Sequence, residues 1–278
     1  MKWNIVTDSS CDLLSDKERM NTVCLSSVPF IISVENRDYI DDETLDTLCM
    51  LNDMEQSTVA SHTSCPSPGK WAEQFERAEQ SIAITISSKL SGSMNSASIA
   101  KEIVLDAHPD KKIAVIDSCS TGPEIVMCVE KILEWIKQAK EFEEVAAEAE
   151  KYLKKVHIAF ALSSFDNLIK NGRMGKITGF VARKLGMWGI GAGSEEGLIN
   201  MKGKTRGPSK ALAMLVEEMK SHKFQGGKVI ISHCHNFALA QKLQSRIQEH
   251  WNNAEVQILP TRGLCSYYAE RGGLIVSY

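Results

Sequence analysis

Residues 87–93 read Ser-Ser-Lys-Leu-Ser-Gly-Ser, a run of hydroxyls around one glycine. An apolar stretch, Ile82–Ile86, precedes it. A segment with helical spacing follows, with Ala97, Ala100, Val104 and Ala107 on one face. Glycine lets the backbone approach a ligand closely. Free N–H groups at a helix start favour an anion, and neighbouring hydroxyls add donors. The chemistry this suits is the holding of a carboxylate or a phosphate. The run lacks the lysine and the spacing of a P-loop, GxxxxGK[ST], which disfavours a nucleotide. The plainer alternative is that these serines only cap the next helix.

A second hydroxyl cluster is Ser61-His62-Thr63-Ser64-Cys65-Pro66-Ser67-Pro68. Its prolines exclude a helix through the segment, so a rigid loop is predicted, or else a cap before Trp71. His233-Cys234-His235 invites a metal reading, because residues i and i+2 of a strand face the same side. No other His or Cys cluster lies close in sequence to complete a ligand set, so satisfied strand-end histidines and no metal are expected. No G-x-S-x-G elbow occurs. A Ser-His-Asp triad need not be adjacent in sequence, so a serine-dependent hydrolase or acyl transferase stays open as the alternative.

These residues need elements to position them. Trp3–Val6, Val28–Val34, Ile82–Ile86 and Ile113–Ile116 read as strands. Most end in Ser, Thr or Asp: Thr7-Asp8-Ser9-Ser10, Ser87-Ser88 and Asp117-Ser118. Helices are predicted from about Met94, from Pro123 to about Lys140, and over Glu141–Lys155. Strands alternating with such helices imply βαβ units and a parallel sheet, whose ligands bind at the carboxyl ends of the strands. After residue 156 the character changes. His157–Leu162 reads as a strand, Gly186–Gly197 is dense in glycine, and a basic turn is expected through Lys202, Lys204 and Arg206. Helices over Ser209–Lys220 and Phe237–His250 alternate with strands at Lys228–Ser232, Val256–Leu259 and Gly273–Val276. The expected fold is therefore α/β in two domains, 1–156 with a parallel sheet and 157–278 with a mixed or antiparallel one. Residues 60–80 are expected to pack with the second domain.

Length and composition agree. The chain has 278 residues, 43% hydrophobic and 24% charged, which is ordinary for a globular protein. The net charge of −3 argues against a broad nucleic-acid surface. No apolar run reaches the roughly 18 residues of a membrane span. The stretch near Phe180 is interrupted by Arg183, Lys184 and glycines. The first residues, MKWNIVTDSSCDLL, show no signal-peptide pattern, and a cytoplasmic protein is expected. The eight cysteines form no CxxC pair and read as reduced thiols.

Four segments together resemble one family: Thr7-Asp8-Ser9-Ser10, Thr63-Ser64-Cys65-Pro66-Ser67, Ser87–Ser93, and Asn171-Gly172-Arg173-Met174-Gly175, with Asp117-Ser118 also fitting. The chain resembles the DegV family of bacterial fatty-acid-binding proteins along its whole length. The resemblance implies a long acyl chain, such as palmitate or oleate, buried between two α/β domains. It places the carboxylate on Thr63 and Ser91, with Ser64, Gly92, Ser93, Arg173 and Tyr268 in support. It implies no cofactor and no catalytic residue. Some members are binding subunits that present the carboxylate to a separate fatty acid kinase. Departures are Cys65 where glutamine is common, and Ser93 and Met94 where threonine and tyrosine are common. Tyr268 aligns with a histidine that the family carries near the ligand. Burying roughly 14 methylenes would contribute about 11 kcal/mol before ordering costs. The carboxylate must then be satisfied by hydroxyls and N–H groups. A sensor of a small molecule or phosphate is the third reading, one that would lack a long apolar tunnel.

Overall fold

The first strand is buried along its whole length, as the middle of a sheet covered on both faces requires. A computed structural model describes residues 2–13, 23–174 and 186–278. Gly175 and the Phe180 stretch lie outside the described residues. In chain order the N-terminal half contains β1 (Trp3–Asp8), β2 (Val23–Val28), β3 (Ile31–Val34), β4 (Arg37–Ile40), α1 (Thr47–Gln56), β5 (His62–Ser64), α2 (Pro68–Phe75), β6 (Gln80–Thr85), α3 (Ser93–Ala107), β7 (Lys112–Asp117), α4 (Pro123–Lys137) and α5 (Phe142–Leu153). The C-terminal half contains β8 (Ile158–Leu162), α6 (Asp166–Lys170), β9 (Met187–Gly193), β10 (Ile199–Arg206), α7 (Pro208–Ser221), β11 (Gly227–His233), α8 (Phe237–His250), β12 (Ala254–Pro260), α9 (Gly263–Ala269) and β13 (Leu274–Ser277).

The first sheet has the order β2-β1-β6-β7 and is parallel throughout. Side chains alternate across it. Val6 and Ala83 meet Trp71, Phe75 and Ala97 of α2 and α3, while Ile5, Ile82 and Ile84 meet α4 and α5 on the other face. Each such buried large side chain contributes about 1.5–3 kcal/mol. The second sheet, β10-β9-β8-β13-β11-β12, is mixed: only β11 and β12 run parallel.

The sequence reading is corrected at four places. Val28–Val34 is two strands of two different sheets. Pro29, which has no N–H to donate, stands between them. The basic turn is instead strand β10, in which Lys202, Lys204 and Arg206 alternate outward with the half-buried Met201, Gly203 and Thr205. The loop over 61–68 contains a short strand, β5, which joins β3 and β4 in a small antiparallel sheet. The strand β11 ends at His233, and His235 has a left-handed backbone (φ 50°), so the two imidazoles do not share a strand face.

Residues 31–56 pack with the second domain: Ile32, Tyr39, Met50 and Leu51 join a core with Phe160, Phe165 and Tyr267. Of residues 60–80, the β5 stretch reaches that domain, whereas α2 packs beneath the first sheet. The glycine-dense segment is a strand whose two faces differ. Trp188, Ile190 and Ala192 pack against α7. An added Cβ at Gly189 would fall 2.1 Å from the Phe165 ring, and at Gly191 2.3 Å from the Phe160 ring. The glycines therefore make room for aromatic side chains. No helix among the described residues is long and apolar enough to cross a membrane.

Candidate functional site

The serine loop takes its shape from Asp8, at the end of β1. The buried Asp8 carboxylate accepts from Ser93 Oγ at 2.6 Å and from Ile86 N at 3.0 Å, and also from Ser10. Burial raises its pKa, and these hydrogen bonds pull it back down. The loop is closed by Ser91 N donating to Ser87 O at 3.2 Å, and Ser88 N donates to Asp117 at the end of β7. Ser87 Oγ donates to Gly197 O at 2.7 Å, so the tip of the β9–β10 hairpin docks on the loop from the other domain. Gly197 has φ +83°, and a Cβ there would fall 2.2 Å from that same hydroxyl.

Helix α9 carries Tyr267 and Tyr268, and two carboxylates of the first domain hold its start. Asp41 accepts from Gly263 N at 2.8 Å and Leu264 N at 2.7 Å. Asp12 accepts from Arg262 N at 2.9 Å. The buried Arg262 guanidinium donates to Ser27 Oγ and Asp41 O. Burial raises both carboxyls, Asp12 to about 6, and Arg262 lowers them in part.

Held this way, Tyr268 meets Thr63, with Oη and Oγ1 3.0 Å apart. Tyr267 Oη sits 2.9 Å from Ser61 Oγ and accepts from Asn171 Nδ2 at 2.9 Å. Arg173 Nε donates to Leu90 O at 3.1 Å, and Nη1 donates to Asn171 O. Cys65, Leu90 and Tyr268 pack around Phe30, Ile86 and Leu264. Thr63, the 90–92 turn, Arg173 and Tyr268 thus converge from four separate stretches of chain. Ser64 is exposed, Ser91 is half-buried, and Gly92 is the exposed N-cap residue of α3. Ser93 turns inward to Asp8.

From this corner a narrow, largely apolar cavity of about 80 Å³ runs between the domains, lined by Leu90, Phe160, Leu168, Ile199, Cys265 and Tyr268 among others. An arrangement of hydroxyls and a helix start beside an apolar slot can hold an amphiphile with an anionic head. His233 Nδ1 accepts from Asn236 N at 3.2 Å, and His235 Nε2 lies 3.0 Å from Thr47 Oγ1. Among the described residues no three His, Cys, Asp or Glu side chains are grouped to hold a metal ion.

Sequence reasoning missed Asp12, Asp41 and Arg262, whose partners lie more than 200 positions away. It also missed Tyr267. Asp8 stood in a quoted motif, without a role.

The family model for DegV, a family of uncharacterised proteins, matches residues 2–278. A DegV domain-containing protein of Streptococcus pneumoniae serotype 4 is 39% identical over 278 residues, which is 100% of this chain and 99% of that protein. The crystal structure of the Streptococcus pneumoniae Fatty Acid Kinase (Fak) B3 protein loaded with linoleic acid superposes with a TM-score of 0.96. Its identity is 39%, over 100% of this chain and 99% of the other. A DegV family protein from Eubacterium eligens loaded with heptadecanoic acid gives a TM-score of 0.93 at 36% identity, covering 99% and 98% of the two chains.

Proposed function

The chain belongs to the DegV family, and from that premise we propose that it binds a long-chain fatty acid between its domains. The observation that carries this is the apolar cavity that ends beside the Thr63–Tyr268 pair and the serine loop. Thr63 and Ser91 hold the carboxylate. Gly92 lets the backbone come close, Tyr268 orients Thr63, and Arg173 braces the turn through Leu90 O. Ser93 acts through Asp8, and Ser64 supports the loop from its outer side. Palmitate and oleate are the expected ligands, with no cofactor.

The protein acts as a binding subunit without catalysis of its own. It presents the acyl carboxylate to a separate fatty acid kinase, as the likeness to the B3 protein suggests. A hydrolase reading has little support. Ser87 and Ser93 spend their hydroxyls on Gly197 O and Asp8, and Ser91 Oγ accepts from Ser93 N. Among the described residues none of the three is bonded to a histidine that would activate it. Denaturing extraction followed by mass spectrometry tests the reading. A long-chain fatty acid is expected. A protein that yields none, and takes up neither added palmitate nor added oleate, would overturn it.

A further inference from the structure

Among the described residues eight large apolar side chains are exposed, and four of them are Ile31, Ile40, Ile99 and Ile103. The first two lie on the small sheet whose strand β5 carries Thr63. The other two lie on α3, the helix that the Ser91–Gly92 turn leads into.

These residues form one band. Ile31 stands directly opposite Ile40 on β4 and directly opposite Ser64 on β5, and all three are exposed. Ser64 adjoins Thr63, and the next residue, Cys65, reaches the other side of the head-group site. A Cβ added to Gly92 would lie 3.4 Å from Cys65 Sγ. Gly92 in turn begins the outer stripe of α3. Gly92, Asn95, Ile99 and Ile103 are three or four residues apart, so they share one helix face, and all are exposed. The band thus has an isoleucine pair at each end and the head-group site in the middle.

Isolated exposed isoleucines are ordinary on a protein surface, whereas a run of them centred on a site marks an interaction surface. Two strand spacings put Ile40 about 10 Å from Ser64. The helical rise puts Ile99 about 10 Å and Ile103 about 16 Å from Gly92. An ordinary protein interface covers about 800 Å² on each partner, a disc of roughly 16 Å radius. Centred on Ser64 and Gly92, such a disc takes in both isoleucine pairs. No residue of the band is charged, while Glu102 and Asp106, exposed further along α3, put acids at its edge. An uncharged apolar centre with a polar rim is the make-up of a protein interface. An anionic lipid surface would be repelled by those acids. An enzyme that gathers cations around nucleotide phosphates would be attracted by them. To phosphorylate a carboxylate at Thr63 and Ser91, a kinase must also cover the ground around them.

We propose that this band is the docking surface for the fatty acid kinase, with Ile31 and Ile40 gripping it on one side of the carboxylate and Ile99 and Ile103 on the other. The proposal rests on the reading above, in which the carboxylate is presented to such a kinase. The test titrates palmitate-loaded protein into a cognate fatty acid kinase with ATP and follows acyl-phosphate formation. The double variant Ile99→Asp/Ile103→Asp and the single variant Ile40→Asp are each expected to raise KM for the loaded protein by about tenfold or more. Their kcat and their palmitate affinity should stay within about threefold of wild type. Phe237→Asp, at an exposed apolar residue on α8, is the control and should change nothing. Serine replaces aspartate in any variant that circular dichroism shows unfolded. A KM within about threefold of wild type in either band variant overturns the proposal, as does an equal rise in Phe237→Asp. Loss of self-association, or of binding to phosphatidylglycerol vesicles, at unchanged KM also overturns it and gives the band to a second copy or to a membrane. Wild type that carries palmitate but supports no acyl-phosphate formation removes the kinase reading and the proposal with it. Wild type that binds no palmitate removes the fatty-acid reading itself.

Discussion

Thr63 Oγ1 and Tyr268 Oη lie 3.0 Å apart although 205 positions separate them in the chain. One sits on the edge of the small sheet formed with β3, the other on the short helix that Asp41 and Asp12 anchor from the first domain. A hydroxyl has one hydrogen to give and two lone pairs. When Tyr268 donates to Thr63, the Thr63 hydrogen is free to point at a carboxylate. In that direction of the bond, the tyrosine orients the threonine as proposed.

Removing these hydroxyls should weaken palmitate binding by different amounts. Thr63→Ala and Ser91→Ala each lose a bond to a charged group, about 1.5–3 kcal/mol or roughly 10- to 150-fold in affinity. Tyr268→Phe loses only a neutral bond behind Thr63, about 0.5–1.5 kcal/mol or roughly 2- to 10-fold. Isothermal titration with palmitate, beside circular dichroism to check folding, separates the two classes. Equal effects from Tyr268→Phe and Thr63→Ala would place Tyr268 on the ligand directly.

Gly191→Ala should destabilise the second domain. Its new Cβ would fall 2.3 Å from the Phe160 ring, directly across the β8–β9 pair. Overpacking of this kind costs about 1–3 kcal/mol. A lower urea midpoint with an unchanged slope is the expected result. The double variant with Phe160→Ala should lose less stability than the two single losses summed, because the ring that clashes is gone. Strict additivity would show that the clash is relieved elsewhere.

Three strands of the first sheet, β1, β6 and β7, were legible as short apolar runs, with α3 and α4 following the last two and β6 leading straight into the serine loop, whereas of β2 only Val28 fell within an expected strand. Much of the second domain was legible as strands and helices, but β10 was read as a turn and β9 was not seen as a strand. Its alternating glycines, Gly189, Gly191 and Gly193, have no side chains to show a period of two, and their partners Phe165, Phe160 and Ile158 stand decades away in sequence. The small sheet of β3, β4 and β5 was hidden for another reason. Ile32 and Tyr39 belong to the core of a domain that begins more than 100 residues later, so no local pattern reports their burial. The serine loop suggests an anion site by composition. That Asp8 would claim Ser93 depends on β1 and β6 being neighbours, which is a tertiary fact.

Glu124 should make stability depend on pH. Burial raises its carboxyl from 4.5 to about 8. Below pH 4.5 it is protonated in both the folded and the unfolded chain and contributes no difference. Between 4.5 and about 8 the unfolded chain ionises while the folded one retains the proton. Stability therefore falls across that window and levels off above it. Glu124→Gln is neutral throughout and escapes the loss. Its advantage over wild type should grow from near zero at pH 4.5 towards a ceiling of roughly 5 kcal/mol above pH 8. Asp8, Asp12 and Asp41 also carry raised values, but they are common to both proteins and cancel in the difference. Urea midpoints at pH 5 and pH 8.5 measure it. An equal difference at both would mean that Glu124 is ionised in the folded state.

Arg173 joins the Asn171-Gly172 turn to the serine loop, through Nε to Leu90 O. That carbonyl belongs to the residue just before Ser91, so the guanidinium sits one position from the proposed carboxylate contact. It is half-buried, and its remaining N–H donors extend beyond the two backbone carbonyls it already satisfies. A planar fork of this kind can brace the loop with one edge and bind two oxygens with another. Because Thr63 and Ser91 are the proposed holders of the head group, Arg173→Ala should keep its lipid, with palmitate affinity reduced no more than about tenfold by the looser loop. The larger loss should come at transfer, where a phosphoryl group adds negative charge beside the carboxylate. With a cognate fatty acid kinase, acyl-phosphate formation by lipid-loaded Arg173→Ala should fall by more than its lipid content does. Arg173→Lys keeps the charge but not the fork, and should restore only part of the rate. Full turnover in Arg173→Ala at wild-type lipid content would reduce Arg173 to a brace for the Leu90 turn.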